Sequence, residues 1–370
     1  MAEQQLEAVV KVPRRRTLPQ KPFSPGQNVS MDLPLDCGIV GLFIRFKGTI
    51  QATYTGTPAG RPEGAVDSLI RAIEVKTDRL GTVKYLRPHF LHLQQLMSGG
   101  APTERLYGVG ASAAAAKANI EGPFTFGTTG QYTAIDETLY LPFEQVFCEP
   151  GFGREETWLN TQRGTSATIQ FQCNPYSALI QNPADVANVT FANPNFEIEV
   201  TTVERGDVPA NALFQVWRQI QKTEDFSSAV NDRAIMINTE NKLSGIMLYA
   251  TDGATGANAK APSNDLLKFL KLRKNGRDSL QEISFRQLQN INRADYGVVA
   301  PFAAGVSRLQ GFAHLTQLSR RELKSALDVS KNTGGVYSLQ LMVDTNDSSL
   351  VSYTQPASLH IVTEEIVNGK

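Results

Sequence analysis

Cysteine is scarce in this chain of 370 residues: Cys37, Cys148 and Cys173 show no metal-ligand spacing and leave one over in any pairing. A disulfide framework is thereby excluded, and three buried thiols in a reducing cell are expected. Charge imbalance is missing too. Lys+Arg and Asp+Glu are 36 each, which removes any global electrostatic attraction to nucleic acid, so such a role would need a local patch. No stretch approaches the ~18 apolar residues of a membrane helix, and no apolar core follows the first charges as in a secretory signal. A soluble chain outside the usual secretory route is expected. Charged residues make up only 19%, against 29 glycines and 19 prolines, which favours short strands joined by turns over a helical protein.

Catalytic patterns are equally thin. His89 and His92 sit at i and i+3, as metal ligands sometimes do, but nothing near them supplies a third ligand. Gly108-Val-Gly110 lacks the third glycine of a dinucleotide loop, and no Walker sequence or Gly-x-Ser-x-Gly elbow occurs. Asp344 to Ser348 lacks the central glycine and closing glutamate of a calcium loop and reads as a turn. Glu155-Glu156 and Glu364-Glu365 are adjacent pairs, which on a strand point to opposite faces and cannot share acid–base work. No enzyme, metal or cofactor is expected.

What the chain does have is a cassette that occurs twice. Leu69 to Leu96, LIRAIEVKTDRLGTVKYLRPHFLHLQQL, lies over Leu266 to Ile291, LLKFLKLRKNGRDSLQEISFRQLQNI. Leu69, Arg71, Ile73, Val75 and Lys76 fall on Leu266, Lys268, Leu270, Leu272 and Arg273. After a short gap, Phe90, Leu93, Gln94 and Leu96 meet Phe285, Leu288, Gln289 and Ile291. Each copy reads as strand, polar turn, strand, short helix. Phe90, Leu93 and Leu96, and Phe285, Leu288 and Ile291, are expected to pin a helix over one edge of each copy, serving packing and contact between neighbouring molecules. The basic run Lys268, Lys271, Arg273, Lys274 and Arg277 alternates with Leu270 and Leu272 and reads as the solvent side of a strand and its turn. A repeat at half the chain length implies two like domains in tandem, each of roughly 150 to 180 residues.

Residues 1–34 read as a polar arm carrying Lys11, Arg14, Arg15, Arg16 and Lys21 among Pro13, Pro19, Pro22 and Pro25. Clustered basic residues suit an anionic surface, either lipid headgroups or nucleic acid, and otherwise form a solvated tail. Residues 35–206 form the first predicted domain and 207–370 the second, with the linker at Gly206 to Ala210. In the first, GIVGLFIRFKGTI from Gly38 to Ile50 alternates as a long strand with one buried face. Further strands are expected at Thr138 to Phe147, with Pro142 permitting only an edge or bulge, at Thr165 to Cys173 and at Asn195 to Glu204. Ser98 to Gly130 reads as a Gly/Ala-rich surface loop. In the second, strands are expected at Leu213 to Ile220, Ala234 to Asn238 and Leu243 to Ala250. Ser319-Arg-Arg-Glu322 has capping-box spacing for a short helix to Leu327. Ile169 to Cys173 and Phe196 to Ile198 are echoed, in the same order, by Leu339 to Val343 and Leu359 to Ile361. The fold class is all-β: two tandem eight-stranded sandwiches, each with a short helix after its fourth strand.

This organisation resembles the double jelly-roll major capsid proteins of tailless, membrane-containing icosahedral bacteriophages of the tectivirus, corticovirus and autolykivirus kind. The strand from Gly38 to Ile50 looks like that family's first strand, and the helices from Phe90 and Phe285 are similar to those that flank its rolls. The resemblance implies a structural protein of the virion: a homotrimer of pseudo-hexagonal outline that tiles an icosahedral shell, assembled in the host cytoplasm. It implies strands upright to the shell, rim loops at Gly108 to Gly122 and Thr251 to Ala261, and an arm against an internal lipid membrane. Its partners would be its own copies, penton and minor capsid proteins and that membrane, with no specific nucleic acid. The alternatives are a carbohydrate-binding or adhesin-like module, for which only Trp158 and Trp217 are available as stacking tryptophans, and a glycan-acting enzyme on the same fold.

Overall fold

The stretch Gly38–Tyr54 places Leu42, Ile44, Phe46 and Ile50 at even positions, each 1% exposed or less, while Phe43 and Lys47 face outward. Burying each such side chain is worth about 1.5–3 kcal/mol, so this period of two commits the segment to a sheet with one wet face. The computed structural model describes residues 14–56, 58–61, 64–99, 105–121, 124–205, 215–237, 241–275, 278–297, 309–329 and 338–368.

The first half opens with β1 (Arg14–Thr17), β2 (Lys21–Pro22), β3 (Asn28–Asp32) and β4 (Gly38–Tyr54). Helix α1 (Ala65–Leu69) leads into β5 (Ile70–Thr77), β6 (Gly81–Leu86) and helix α2 (Pro88–Ser98). Then come β7 (Arg105–Gly110), β8 (Ile120–Glu121), β9 (Tyr132–Pro142), β10 (Leu159–Asn160), β11 (Ala167–Cys173) and β12 (Val189–Arg205). The second half holds β13 (Gln215–Phe226), β14 (Arg233–Ile237), β15 (Lys242–Thr251), β16 (Leu267–Lys274) and β17 (Asp278–Ser284). It ends with helix α3 (Phe285–Tyr296), β18 (Phe312–Thr316), β19 (Leu327–Asp328), β20 (Leu339–Thr345) and β21 (Ala357–Asn368).

Both halves obey one topology. With the two-residue strands β2, β8 and β10 and the additional strand β7 beyond β9 set aside, the first half pairs β1-β12-β4-β9 in one sheet and β3-β11-β5-β6 in the other. The second pairs β13-β21-β15-β18 and, omitting β19, β14-β20-β16-β17. In each, the eight strands taken in chain order are arranged first, eighth, third, sixth and second, seventh, fourth, fifth. That is a jelly roll, and the chain is a double jelly roll. The repeated cassette is the fourth and fifth strands plus the following helix, and the echoes fall on the seventh and eighth strands of each roll.

The rolls share a sheet. β13 runs parallel to β6, with Gln219 opposite Lys84 and Ile220 opposite Tyr85. The ladder β18-β15-β21-β13-β6-β5-β11-β3 therefore passes from the second roll into the first without a break. One pairing closes an edge on each roll that would otherwise stay open to other chains. The first core continues across the outer face of the second roll's sheet, taking in Trp217, Met247, Tyr249, Val362 and Ile366, while the second core fills the sandwich behind it.

Several expectations need correction. Residues 14–33, placed in the arm, are strands: β1 and β2 pair with β12 and β3 with β11, and Leu18, Phe23, Val29, Met31 and Leu33 lie in the first core. Proline-rich sequence cannot fold alone, but it adds strands readily to an existing edge. Counting these strands, each helix follows the fifth strand of its roll and not the fourth. Within Ser98 to Gly130, Arg105–Gly110 is a strand paired with β9. Its glycines hid it: a Cβ at Gly108 would stand 1.6 Å from the Lys117 carbonyl oxygen, so the loop folds back against a bare backbone. The capping-box helix is absent. Arg320 and Arg321 have φ of +53° and +57°, and the segment forms two single 3-10 turns, Ser319–Arg321 and Leu323–Ser325. Two of its backbone bonds run to the first roll, from Glu149 N–H to the Arg321 carbonyl at 3.1 Å and from Leu323 N–H to the Phe152 carbonyl at 3.0 Å. The linker Gly206 to Ala210 lies outside the described residues.

Candidate functional site

Of the basic cluster, Lys11 lies outside the described residues. β1 sets Arg14, Arg15 and Arg16 opposite Glu204, Val203 and Thr202 of β12. Arg16 donates from Nη2 to both carboxylate oxygens of Asp36 at 2.9 Å, its Nε stands 3.1 Å from Glu204, and Arg14 Nε stands 3.6 Å from the same carboxylate. The bond from Arg16 holds the Asp36 carboxyl below its ordinary range. Two of the three arginines thus close the roll onto its own carboxylates, whereas Arg15 and Lys21 are exposed.

The helices divide differently from expectation. On α3 the buried residues are Phe285, Leu288, Gln289 and Asn292, and Ile291 is 40% exposed. Ile291 does not pin the helix. The expected i, i+3, i+6 set misjudged the period, because six residues rotate a helix by about 600°, leaving the last position 120° off the face; i, i+3, i+4, i+7 is the true stripe. On α2, Phe90 and Leu93 are buried, as are Gln94 and Met97 of the same stripe, and Leu96 is partly buried. Almost every side of α2 is covered. Phe90 packs at 6.3 Å between ring centroids against both Tyr249 and Phe312 of the second roll. This helix is the filling between the two rolls.

His89 and His92 are engaged inside the chain. His89 Nδ1 stands 3.3 Å from Asp67 Oδ2, and His92 Nε2 accepts from Arg105 Nε at 2.9 Å. Among the described residues no three His, Cys, Asp or Glu side chains are placed to hold a metal. The three cysteines are free and buried, and burial pushes Cys37 and Cys148 up to about 12 and Cys173 to about 11. Neither tryptophan offers a stacking face for a sugar: Trp217 is fully buried and Trp158 is 7% exposed, with Arg205 over its ring at 4.2 Å. Glu364 and Glu365 do point to opposite faces, the first toward His314 and the second toward Arg218 and Asn241.

Between the rolls lies a polar network that pattern reading missed. Lys84 on β6 is fully buried; its ammonium donates to Gln219 Oε1 at 2.8 Å and sits 3.8 Å over the Trp217 ring. Gln219 donates onward to Glu364 Oε1 at 3.0 Å and to Gln94 Oε1 at 3.2 Å. Glu364 Oε2 meets His314 Nε2 at 2.8 Å, and His314 Nδ1 meets the Tyr296 hydroxyl at 2.9 Å. Gln145 of the first roll donates to Ser244 Oγ at 2.9 Å, and Ser244 to the Glu364 carbonyl at 3.2 Å. Burial drives the Lys84 pKa well below its ordinary value, partly offset by the Glu364 charge. Gly245 makes room, since a Cβ there would fall 2.4 Å from His314 Nε2 and 2.6 Å from Glu364 Oε2. Lys84, Gln219, Glu364 and His314 all have no exposed surface, so this arrangement fixes one roll against the other and offers nothing to a substrate.

No family model and no curated protein matches the chain. Solved structures do, over nearly its whole length. It is similar to the STIV MCP, from Sulfolobus Turreted Icosahedral Virus, at 12% identity and TM-score 0.63, covering 96% of this chain and 97% of that one. It is similar to a chain of the PBCV-1 virus capsid at 10% identity and TM-score 0.56, covering 97% and 96%. The major capsid protein P2 of bacteriophage PM2 matches at 10% identity and TM-score 0.55, covering 96% and 98%. What these likenesses establish is the shared fold.

Proposed function

We propose that the chain is a viral major capsid protein whose homotrimers, six rolls around one axis, tile an icosahedral shell as pseudo-hexagonal blocks. The observation that carries this reading is the fusion of two equivalent jelly rolls through one continuous sheet and a sealed polar network. Rolls locked in that way make a rigid two-lobed block, and a threefold axis turns three such blocks into a near-hexagon from a single gene product. The end-to-end match to three capsid chains supports it, since two rolls account for the length of each. Rim loops at Gly108 to Gly122 and Thr251 to Ala261, pentons and minor proteins at the fivefold positions, and assembly in the host cytoplasm belong to the same proposal. An internal membrane would meet Lys11, Arg15 and Lys21, because Arg14 and Arg16 are already paired within the roll. Native mass spectrometry or light scattering tests it: the expected species has three times the 40.5 kDa chain mass. A monodisperse monomer at high concentration would overturn the reading.

A further inference from the structure

Where the rolls meet at the open face of the shared sheet, a crevice of about 510 Å³ opens between them. That size falls within the ~300–1,000 Å³ of small-molecule sites. Its lining is cationic. Arg61, Arg71 and Arg87 come from the first roll and Lys222 and Lys260 from the second, with Asp67 the one carboxylate among the lining residues. The Asp67 charge is already met, since Oδ2 accepts from Arg105 Nη2 at 2.8 Å and lies 3.3 Å from His89. Of the cations, Arg87 stands 3.1 Å from His360 Nε2, and two others are without a counter-charge among the described residues. Among the described residues, Arg71 and Lys260 are exposed and make no ion pair or side-chain hydrogen bond. Arg61 donates Nε to the Ala178 carbonyl at 2.8 Å, a neutral acceptor that steadies the guanidinium without cancelling its charge. Lys222 reaches the Met236 carbonyl and stands 3.8 Å from Glu224, which also holds Arg233 at 3.2 Å.

Five cationic side chains border one recess, and neither Arg71 nor Lys260 has a counter-charge among the described residues. We propose that the crevice is a binding site for a small ligand bearing two or more phosphate groups, bridging the arginines of the first roll and the lysines of the second. Guanidinium forks match phosphate oxygens two at a time, and lysines add unconstrained point charge, so this mixture favours phosphate over a single carboxylate. A crevice that draws on both rolls makes the ligand a clamp across their junction. It would bind such a ligand whether or not the chain builds a shell.

The full chain would be titrated with sodium pyrophosphate by calorimetry and thermal unfolding, against sodium chloride of equal ionic strength. Saturable binding near one per chain is expected, with a Tm that climbs with pyrophosphate and not with chloride. In an Arg71→Ala/Lys260→Ala variant the affinity should fall by about tenfold or more. Its unliganded Tm should be equal or higher, because both side chains are exposed and their loss relieves repulsion. Equal binding by the variant, or a chloride response that matches pyrophosphate, would overturn the proposal. Co-sedimentation with phosphatidylcholine vesicles containing phosphatidylinositol bisphosphate separates the sources of the phosphate. Sedimentation that pyrophosphate competes away assigns it to a lipid headgroup, and pyrophosphate binding without sedimentation assigns it to a soluble polyphosphate.

Discussion

Lys84 occupies a position that alternation assigns to solvent: in Val83-Lys84-Tyr85-Leu86 it reads like any basic residue on a wet face. The structure buries it because the face that is wet in an isolated roll meets Trp217 and Gln219 of the other one. Its counterpart in the second cassette, Gln281, is exposed, which shows that the buried charge belongs to the junction and not to the repeat. A buried ammonium whose proton is disfavoured makes a signed prediction. The folded pKa lies well below 10.5, so between that folded value and 10.5 the unfolded chain binds more protons, and native stability rises with pH through that window. The urea midpoint of the wild type should therefore gain on that of Lys84→Met as pH rises from 7 toward 10, and a flat difference would show that Lys84 is not desolvated. At pH 7, Lys84→Met should lose about 1–3 kcal/mol, because an unbranched apolar chain fills the same slot over Trp217 but leaves Gln219 Oε1 without its donor. Lys84→Ala should lose about 3–5 kcal/mol, since it opens a cavity and strands the carbonyl of Gln219.

At the scale of elements, the first three strands mark where sequence reading stopped and why. Asn28–Asp32 offers only Val29 and Met31 to the core, too short an alternation to stand out beside three nearby prolines, yet its partner β11 holds it along five residues. The cassettes, β4 and β12 were legible because each carries its own long pattern. β1, β7 and the β6–β13 pair were not, because they exist only by docking on strands far away in the chain. The capping box failed for a related reason, two of its backbone groups being bonded to the first roll. Truncation separates the segments. Removal of residues 1–13 should leave the urea midpoint within error of wild type. Removal of residues 1–33 deletes two of the eight strands of the first roll, uncovers Phe46 and Phe196 where Phe23 now packs at 5.4 and 6.3 Å, and should abolish cooperative folding of that roll. A stable fold after the longer cut would show that β1 to β3 are dispensable.

For the whole molecule, two rolls do not make two independent domains. The β13-β21-β15-β18 sheet is buried on both faces, by its own core and by α2 with the first roll, and it closes the first roll's edge at β6. The second roll alone would expose Trp217, Tyr249, Val362 and Ile366 on an apolar face beside an open strand, and the first would expose Phe90 and strand Lys84 without its acceptor. Each roll therefore completes the other, in contrast to the beads-on-a-string arrangement that a tandem repeat ordinarily implies. The consequence is thermodynamic. The 40.5 kDa chain should unfold in one transition by calorimetry, with van't Hoff and calorimetric enthalpies agreeing for the dissociated subunit. Gly245→Ala, which forces a Cβ into the His314–Glu364 contact, should lower that single transition as a whole, by about 1–3 kcal/mol, and not split it. Two resolved transitions in the wild type would mean that the shared sheet is weaker than either sandwich, and the rigid two-lobed block on which the capsid proposal rests would fail with it.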